Sequence, residues 1–216
     1  MNKKAEVLLK ATENLGTGSV VVECGSLRFD TEIATDGFST YHLAQRAKER
    51  GWIFYTVDQD QKAMAVTQRV LGNVGLLQYA VIVEAEASKW LDTFADKIDC
   101  LYLDMSAVAN ARAVQAAYDK LTNLVVIDDT NATQEGEFGE GSLAIPWLDV
   151  RGWDVISYPT EMQSNGINPM LMSCLTRKVS KEKPVPIFRS KVTKEPEVML
   201  NQEEKEDTEL PEEPIS

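Results

Sequence analysis

Apolar residues in this chain fall into short runs, and amphipathic stretches separate those runs along most of its length. Residues 3–15 read as a short amphipathic helix stopped at Gly16. Residues 19–24, SVVVEC, form a continuous β-branched run, the pattern of a strand covered on both faces. A loop rich in Gly, Asp and Thr follows over 25–37, then a helix over 38–50 with Gly51 as its C-cap. Strands are expected at 52–57 and 77–83, with a helix over 61–71 ended by Gly72 between them. Helix 87–95, strand 98–103, Ala-rich helix 107–121 and strand 124–127 continue the alternation. A polar, Gly-rich loop covers 128–141 and a short helix covers 143–150. Strands 153–158 and 170–176 close the pattern, joined through Asn165-Gly166.

Alternation of this kind predicts an α/β fold: a doubly wound, mostly parallel seven-stranded sheet with helices on both faces and a C-terminal antiparallel strand. Residues 1–178 make one domain. Residues 179–216 turn to Lys, Glu and Pro with few large apolar side chains, which predicts a disordered charged tail able to dock a protein partner.

Composition narrows the function classes. The chain has 216 residues, enough for one such domain. It holds no long apolar run, so no membrane span is expected. Net charge is −12 and unevenly spread. Residues 177–194 carry seven basic side chains against Glu182, and residues 195–216 carry nine acids against Lys205. Residues 1–176 are therefore strongly acidic, which argues against nucleic acid as the main substrate. Cys24, Cys100 and Cys174 lie apart in apolar runs and read as buried free thiols in a reducing cytoplasm. His42 is the single histidine; it offers no typical zinc site and reads as structural.

In open α/β sheets ligands sit at the carboxyl ends of the strands, near the point where strand order reverses. The first strand ends Glu23-Cys24-Gly25-Ser26, and Gly25 lets the backbone pass close under a ligand. Gly37 opens the next helix and Ser39 lies in its first turn, where free N–H groups suit a carboxylate. The second strand ends Val57-Asp58-Gln59-Asp60. Asp58 is placed to take both hydroxyls of a ribose, leaving Asp60 to cap the following helix.

These segments resemble the class I S-adenosylmethionine (SAM)-dependent methyltransferases over about residues 5–176. Val21-Val22-Glu23-Cys24-Gly25-Ser26 is similar to the family's first motif, and Phe54-Tyr55-Thr56-Val57-Asp58 to its ribose-binding strand. Val83-Glu84-Ala85-Glu86-Ala87 resembles the adenine-packing segment, and Asp99-Cys100-Leu101-Tyr102-Leu103-Asp104 the fourth-strand motif. Val125-Val126-Ile127-Asp128-Asp129-Thr130 resembles the fifth strand of small-molecule members. The resemblance implies a SAM site built from Glu23, Gly25, Ser26, Gly37, Ser39, Asp58, Gln59, Glu86 and Asp104. It also implies methyl transfer to a small-molecule or sugar-like acceptor, at oxygen. One departure is the stretch 27–36, which lengthens the glycine loop with Arg28, Asp30, Glu32 and Asp36. An oxidoreductase is disfavoured, because no G-x-G-x-x-G occurs.

Asp104, Asp128 and Asp129 end the fourth and fifth strands, which should be neighbours. Converging carboxylates repel unless a cation or donor intervenes, and oxygen ligands suit Mg²⁺. The arrangement resembles the catechol O-methyltransferase group, where acids at these places hold a divalent metal. In that group a lysine completes deprotonation of the acceptor. Here Met105-Ser106-Ala107 follows Asp104 without one. The missing lysine, the lone histidine and the lengthened loop leave a second reading: a non-catalytic protein of methyltransferase fold that binds or scaffolds.

Overall fold

The computed structural model describes residues 3–29, 38–131, 138–162 and 169–178. The chain divides into two units, Met1–Val179 and Ser180–Ser216. The charged tail, Gly37, most of the stretch 27–36 and Asn165-Gly166 lie outside the described residues.

Seven strands form one sheet in the order β3-β2-β1-β4-β5-β7-β6. They are β1 (Val20–Cys24), β2 (Ile53–Asp58), β3 (Val81–Glu84), β4 (Ile98–Leu103), β5 (Leu121–Ile127), β6 (Trp153–Met162) and β7 (Pro169–Arg177). β1 to β5 are parallel neighbours, and β7 runs antiparallel to both β5 and β6. The expected mixed, mostly parallel sheet is therefore present, with its antiparallel strand inserted between β5 and β6.

Six helices cover the two faces: α1 (Lys3–Ala11), α2 (Ser39–Arg50), α3 (Gln61–Asn73), α4 (Ala87–Thr93), α5 (Ala107–Ala117) and α6 (Ala144–Asp149). Period-two alternation sorts the strand residues between two cores. Val21, Phe54, Cys100 and Val126 pack with Leu8 of α1, Leu43 of α2 and Leu71 of α3. Val22, Leu101, Val125 and Leu175 pack with Leu91 of α4, Val114 of α5 and Leu148 of α6. Fully burying each such side chain contributes roughly 1.5–3 kcal/mol, so both faces of the central strands must be apolar. That requirement is why β1 and β4 read as continuous runs.

Several boundaries differ from the expected ones for local reasons. α1 stops at Ala11, four residues early, where the buried Thr12 hydroxyl donates to the Leu8 carbonyl at 2.8 Å. α3 runs through Gly72, and the left-handed turn falls at Gly75 instead, with φ +69°. Residues 77–79 form a 3-10 turn, so β3 starts only at Val81. α5 ends at Ala117 and β5 begins at Leu121, inside the stretch expected to be helical.

Candidate functional site

Strand order reverses between β1 and β4, and their carboxyl ends meet at Gly25 and Asp104. The Gly25 N–H donates to the Val57 carbonyl at 3.0 Å, and the Asp104 N–H to the Cys24 carbonyl at 3.0 Å. Gly25 has φ +96°, and a Cβ there would stand 2.2 Å from the Asp104 carbonyl oxygen. The glycine is thus required by the approach of one loop to the next strand, as well as by any ligand above it.

A cavity of about 300 Å³ opens over the ends of β1, β2 and β3. Asp58, Gln59 and Glu86 bring polar groups to its wall, and Val57, Ala85 and Met105 bring apolar ones. The half-buried Asp58 already ties the loop together. Its Oδ2 accepts from the Ser26 N–H at 2.9 Å and the Ser26 hydroxyl at 3.2 Å, and its Oδ1 accepts from the Asp60 N–H at 2.9 Å. A carboxylate has about four acceptor positions, so Asp58 keeps capacity for a further donor. Asp60 caps α3 through the Lys62 N–H. Glu86 lines the cavity but spends its oxygens capping α4, accepting from the Ser88 hydroxyl and from the N–H groups of Ser88 and Lys89. The Ser88 hydrogen bond is the main reason its carboxyl is held below the usual range.

Glu23 does not face this cavity. It is 0% exposed, and it accepts from the Ser39 hydroxyl at 2.7 Å and the Thr56 hydroxyl at 2.8 Å. Those bonds fasten the first turn of α2 to β1 and β2, so the structure makes Glu23 a clamp inside the fold. Desolvation pushes its carboxyl up to about 7 against the pull of both hydroxyls.

A second cavity, about 150 Å³, lies beside the first. Arg28 belongs to both walls, and Ser26, Ser39, Asp104, Asp129 and Glu140 line the second. Asp104, Asp128 and Asp129 do come to one place. The expected divalent cation, however, gives way to a lysine. Lys4 of α1, 5% exposed, reaches Asp128 Oδ2 at 3.1 Å and Asp129 Oδ1 at 3.1 Å. Asp128 also accepts from the Tyr102 hydroxyl at 3.1 Å and the Asp129 N–H at 2.9 Å. Burial alone would lower the Lys4 ammonium, but the two aspartates outweigh it and hold it above its ordinary value. A second cation placed among these acids would meet Lys4's positive charge. Among the described residues no group of three acids, cysteines or histidines is arranged to hold a metal ion. Asn131 Oδ1 accepts from the Leu171 N–H and the Thr130 hydroxyl donates to the Leu171 carbonyl, so both are engaged with β7.

Sequence reasoning missed Lys4, Arg28 and Glu140 as parts of this site. For Lys4 a signal existed. It lies four residues before Leu8, on the stripe that α1 buries together with Ala5. A lysine on that stripe needs an acid beneath it. Glu140 gave none, since nothing in a Gly-rich loop tells which acid turns inward. The carboxyls of Asp104 and Glu140 are both raised well above the carboxylate range, first by burial and then by neighbouring acids.

No family model matches the sequence, and no curated protein matches it. Solved structures do. A Streptococcus mutans protein assigned as a methyltransferase, in complex with S-adenosylhomocysteine (SAH), is 12% identical, with 82% of this chain and 99% of that chain covered and a TM-score of 0.61. An O-methyltransferase from Bacillus cereus, also in complex with SAH, is 11% identical, with 81% and 78% covered and a TM-score of 0.56. An rRNA methylase from Streptococcus thermophilus is 16% identical, with 80% and 94% covered and a TM-score of 0.56. At these identities the likeness shows the fold: this chain has the Rossmann-like fold of class I SAM-dependent methyltransferases.

Proposed function

We propose that the chain binds SAM over the carboxyl ends of β1, β2 and β3 and transfers its methyl group to a small-molecule or sugar-like acceptor at oxygen. The observation that carries this reading is the 300 Å³ cavity over those ends, which holds Asp58 beside apolar Val57, Ala85 and Met105. Such a wall suits a ribose hydroxyl pair next to a purine face. Gly25, Ser26 and Gln59 complete the donor side, and Ser39 lies in the neighbouring wall. Asp104 stands where the two cavities adjoin, and its raised carboxyl suits it to take a proton from a hydroxyl held in the second cavity. Transfer itself is in-line displacement at carbon, so this chain's main work is holding donor and acceptor in line. No step in this reading uses Mg²⁺.

The acidic wall of the second cavity disfavours a phosphate-bearing acceptor, although one structure of the same fold is an rRNA methylase. A second reading, a non-catalytic binding or structural component, is favoured by one observation: Glu86 and Glu23 are both committed to bonds inside the fold. Titration calorimetry with SAH decides between them. We expect saturable one-to-one binding; heat indistinguishable from buffer would favour the non-catalytic component.

A further inference from the structure

The charges around the second cavity do not balance. Lys4 is consumed, its ammonium shared between Asp128 and Asp129 at 3.1 Å each. Asp104 is half-buried, and no described residue gives its carboxylate a hydrogen bond or an ion pair. Glu140 Oε2 is shielded from solvent and has no hydrogen-bond partner among the described residues. The other cation in the wall, Arg28, is exposed at the rim shared with the donor cavity. Two shielded carboxyls therefore face one small space with no fixed positive charge between them, which burial ordinarily forbids unless something arrives to pair them.

We propose that the second cavity is the acceptor site and that it recognises a small acceptor through a protonated amine held between Asp104 and Glu140. This rests on the reading of the first cavity as the methyl-donor site. An ammonium group fits the imbalance better than the alternatives. It supplies three N–H donors and one positive charge, enough to serve both carboxyls at once. A hydroxyl supplies one donor and no charge. A carboxylate or phosphate would enter against Asp104, Asp128, Asp129 and Glu140. A divalent metal would have to displace the Lys4 ammonium from Asp128 and Asp129. Mutual repulsion and burial raise both free carboxyls in the empty pocket, and an entering ammonium relieves both causes together. The amine thus anchors the acceptor, and a hydroxyl elsewhere on the same molecule remains free to meet the donor.

The test uses the full chain saturated with SAH at neutral pH. Two matched probe series, benzylamine with benzyl alcohol and benzoate, and butylamine with butanol and butyrate, are titrated by ligand-observed NMR. In at least one series the amine should bind tenfold or more tightly than the alcohol, and the carboxylate should not bind. Glu140→Gln, which does not line the donor cavity, should cut the amine preference to threefold or less while SAH affinity stays unchanged. Equal binding within both series, preference for alcohol or carboxylate, or no binding of any probe would overturn the proposal. So would a preference that survives Glu140→Gln. The wild-type comparison decides by itself if that variant fails to fold. Failure of SAH to bind wild-type protein would instead overturn the donor-site reading beneath it.

Discussion

Glu23 and Asp58 illustrate how two acids at adjacent strand ends acquire different duties. Glu23 is wholly buried between β1 and α2, while Asp58 stands half-buried in a cavity wall. An unfolded glutamate titrates near 4.5, whereas in the fold Glu23 titrates at about 7 because of desolvation. The folded chain therefore keeps a proton that the unfolded chain has released. Stability from that proton is complete below about pH 4.5 and is lost as pH rises through about 7. Gln cannot ionise, so Glu23→Gln should gain on wild type by roughly 2–3 kcal/mol between about pH 5 and pH 8.5. Urea unfolding of both proteins at the two pH values measures this. A difference that does not change with pH would mean Glu23 is ionised throughout. For Asp58 the expected loss is in ligand affinity. Asp58→Ala should weaken SAH binding by roughly 1.5–3 kcal/mol in calorimetry, the worth of charge-assisted bonds to ribose. Wild-type affinity in that variant would move the donor away from β2.

At the scale of elements, what could be read from sequence was whatever burial enforces. β1 and β4 lie in the sheet's interior, so their apolar runs were legible, and so was the adjacency of Asp104 to Asp128 across β4 and β5. β3 is the edge strand and half exposed. Its apolar signal merged with the 3-10 turn before it, and its start was misplaced. Gly72 looked like a stop because glycine is a poor helix former, yet tertiary packing of Val70 and Leu71 carries α3 through it. The partner of Asp128 was illegible as a pairing, because it comes from α1, more than a hundred residues away in sequence. That helix makes a clear prediction. Lys4→Met should cost about 3–5 kcal/mol, since it strands the carboxylate of Asp128 in a place 1% exposed. Adding Asp128→Asn should restore part of the loss, because a neutral pair needs no counter-charge. Urea denaturation of the two single variants and the double variant forms the cycle. Strict additivity would show that Lys4 and Asp128 do not interact.

Across the whole molecule, charge and hydrophobicity separate along the chain. The first 176 residues concentrate the apolar content and are acidic, while the remainder alternates a basic block with an acidic one. The sheet is completed by β6 and β7, and the last described residue, Lys178, closes it with a hydrogen bond from its N–H to the Gly152 carbonyl at 2.9 Å. Every strand and both helical layers thus lie before residue 179. Residues 179–216 have too few large apolar side chains to offset the entropy of ordering them, which amounts to about 1–2 kcal/mol per residue for the backbone alone. A chain ending at Lys178 should therefore keep its melting temperature within about 2 °C, a change of under ~1 kcal/mol for a domain of this size. It should also keep its SAH affinity. Differential scanning calorimetry and SAH titration of the shortened protein check both. A fall of several degrees would mean that the tail packs on the sheet or its helices. An unchanged melting temperature with weakened SAH binding would place tail residues at the donor cavity, where their many acids would add to an already negative wall.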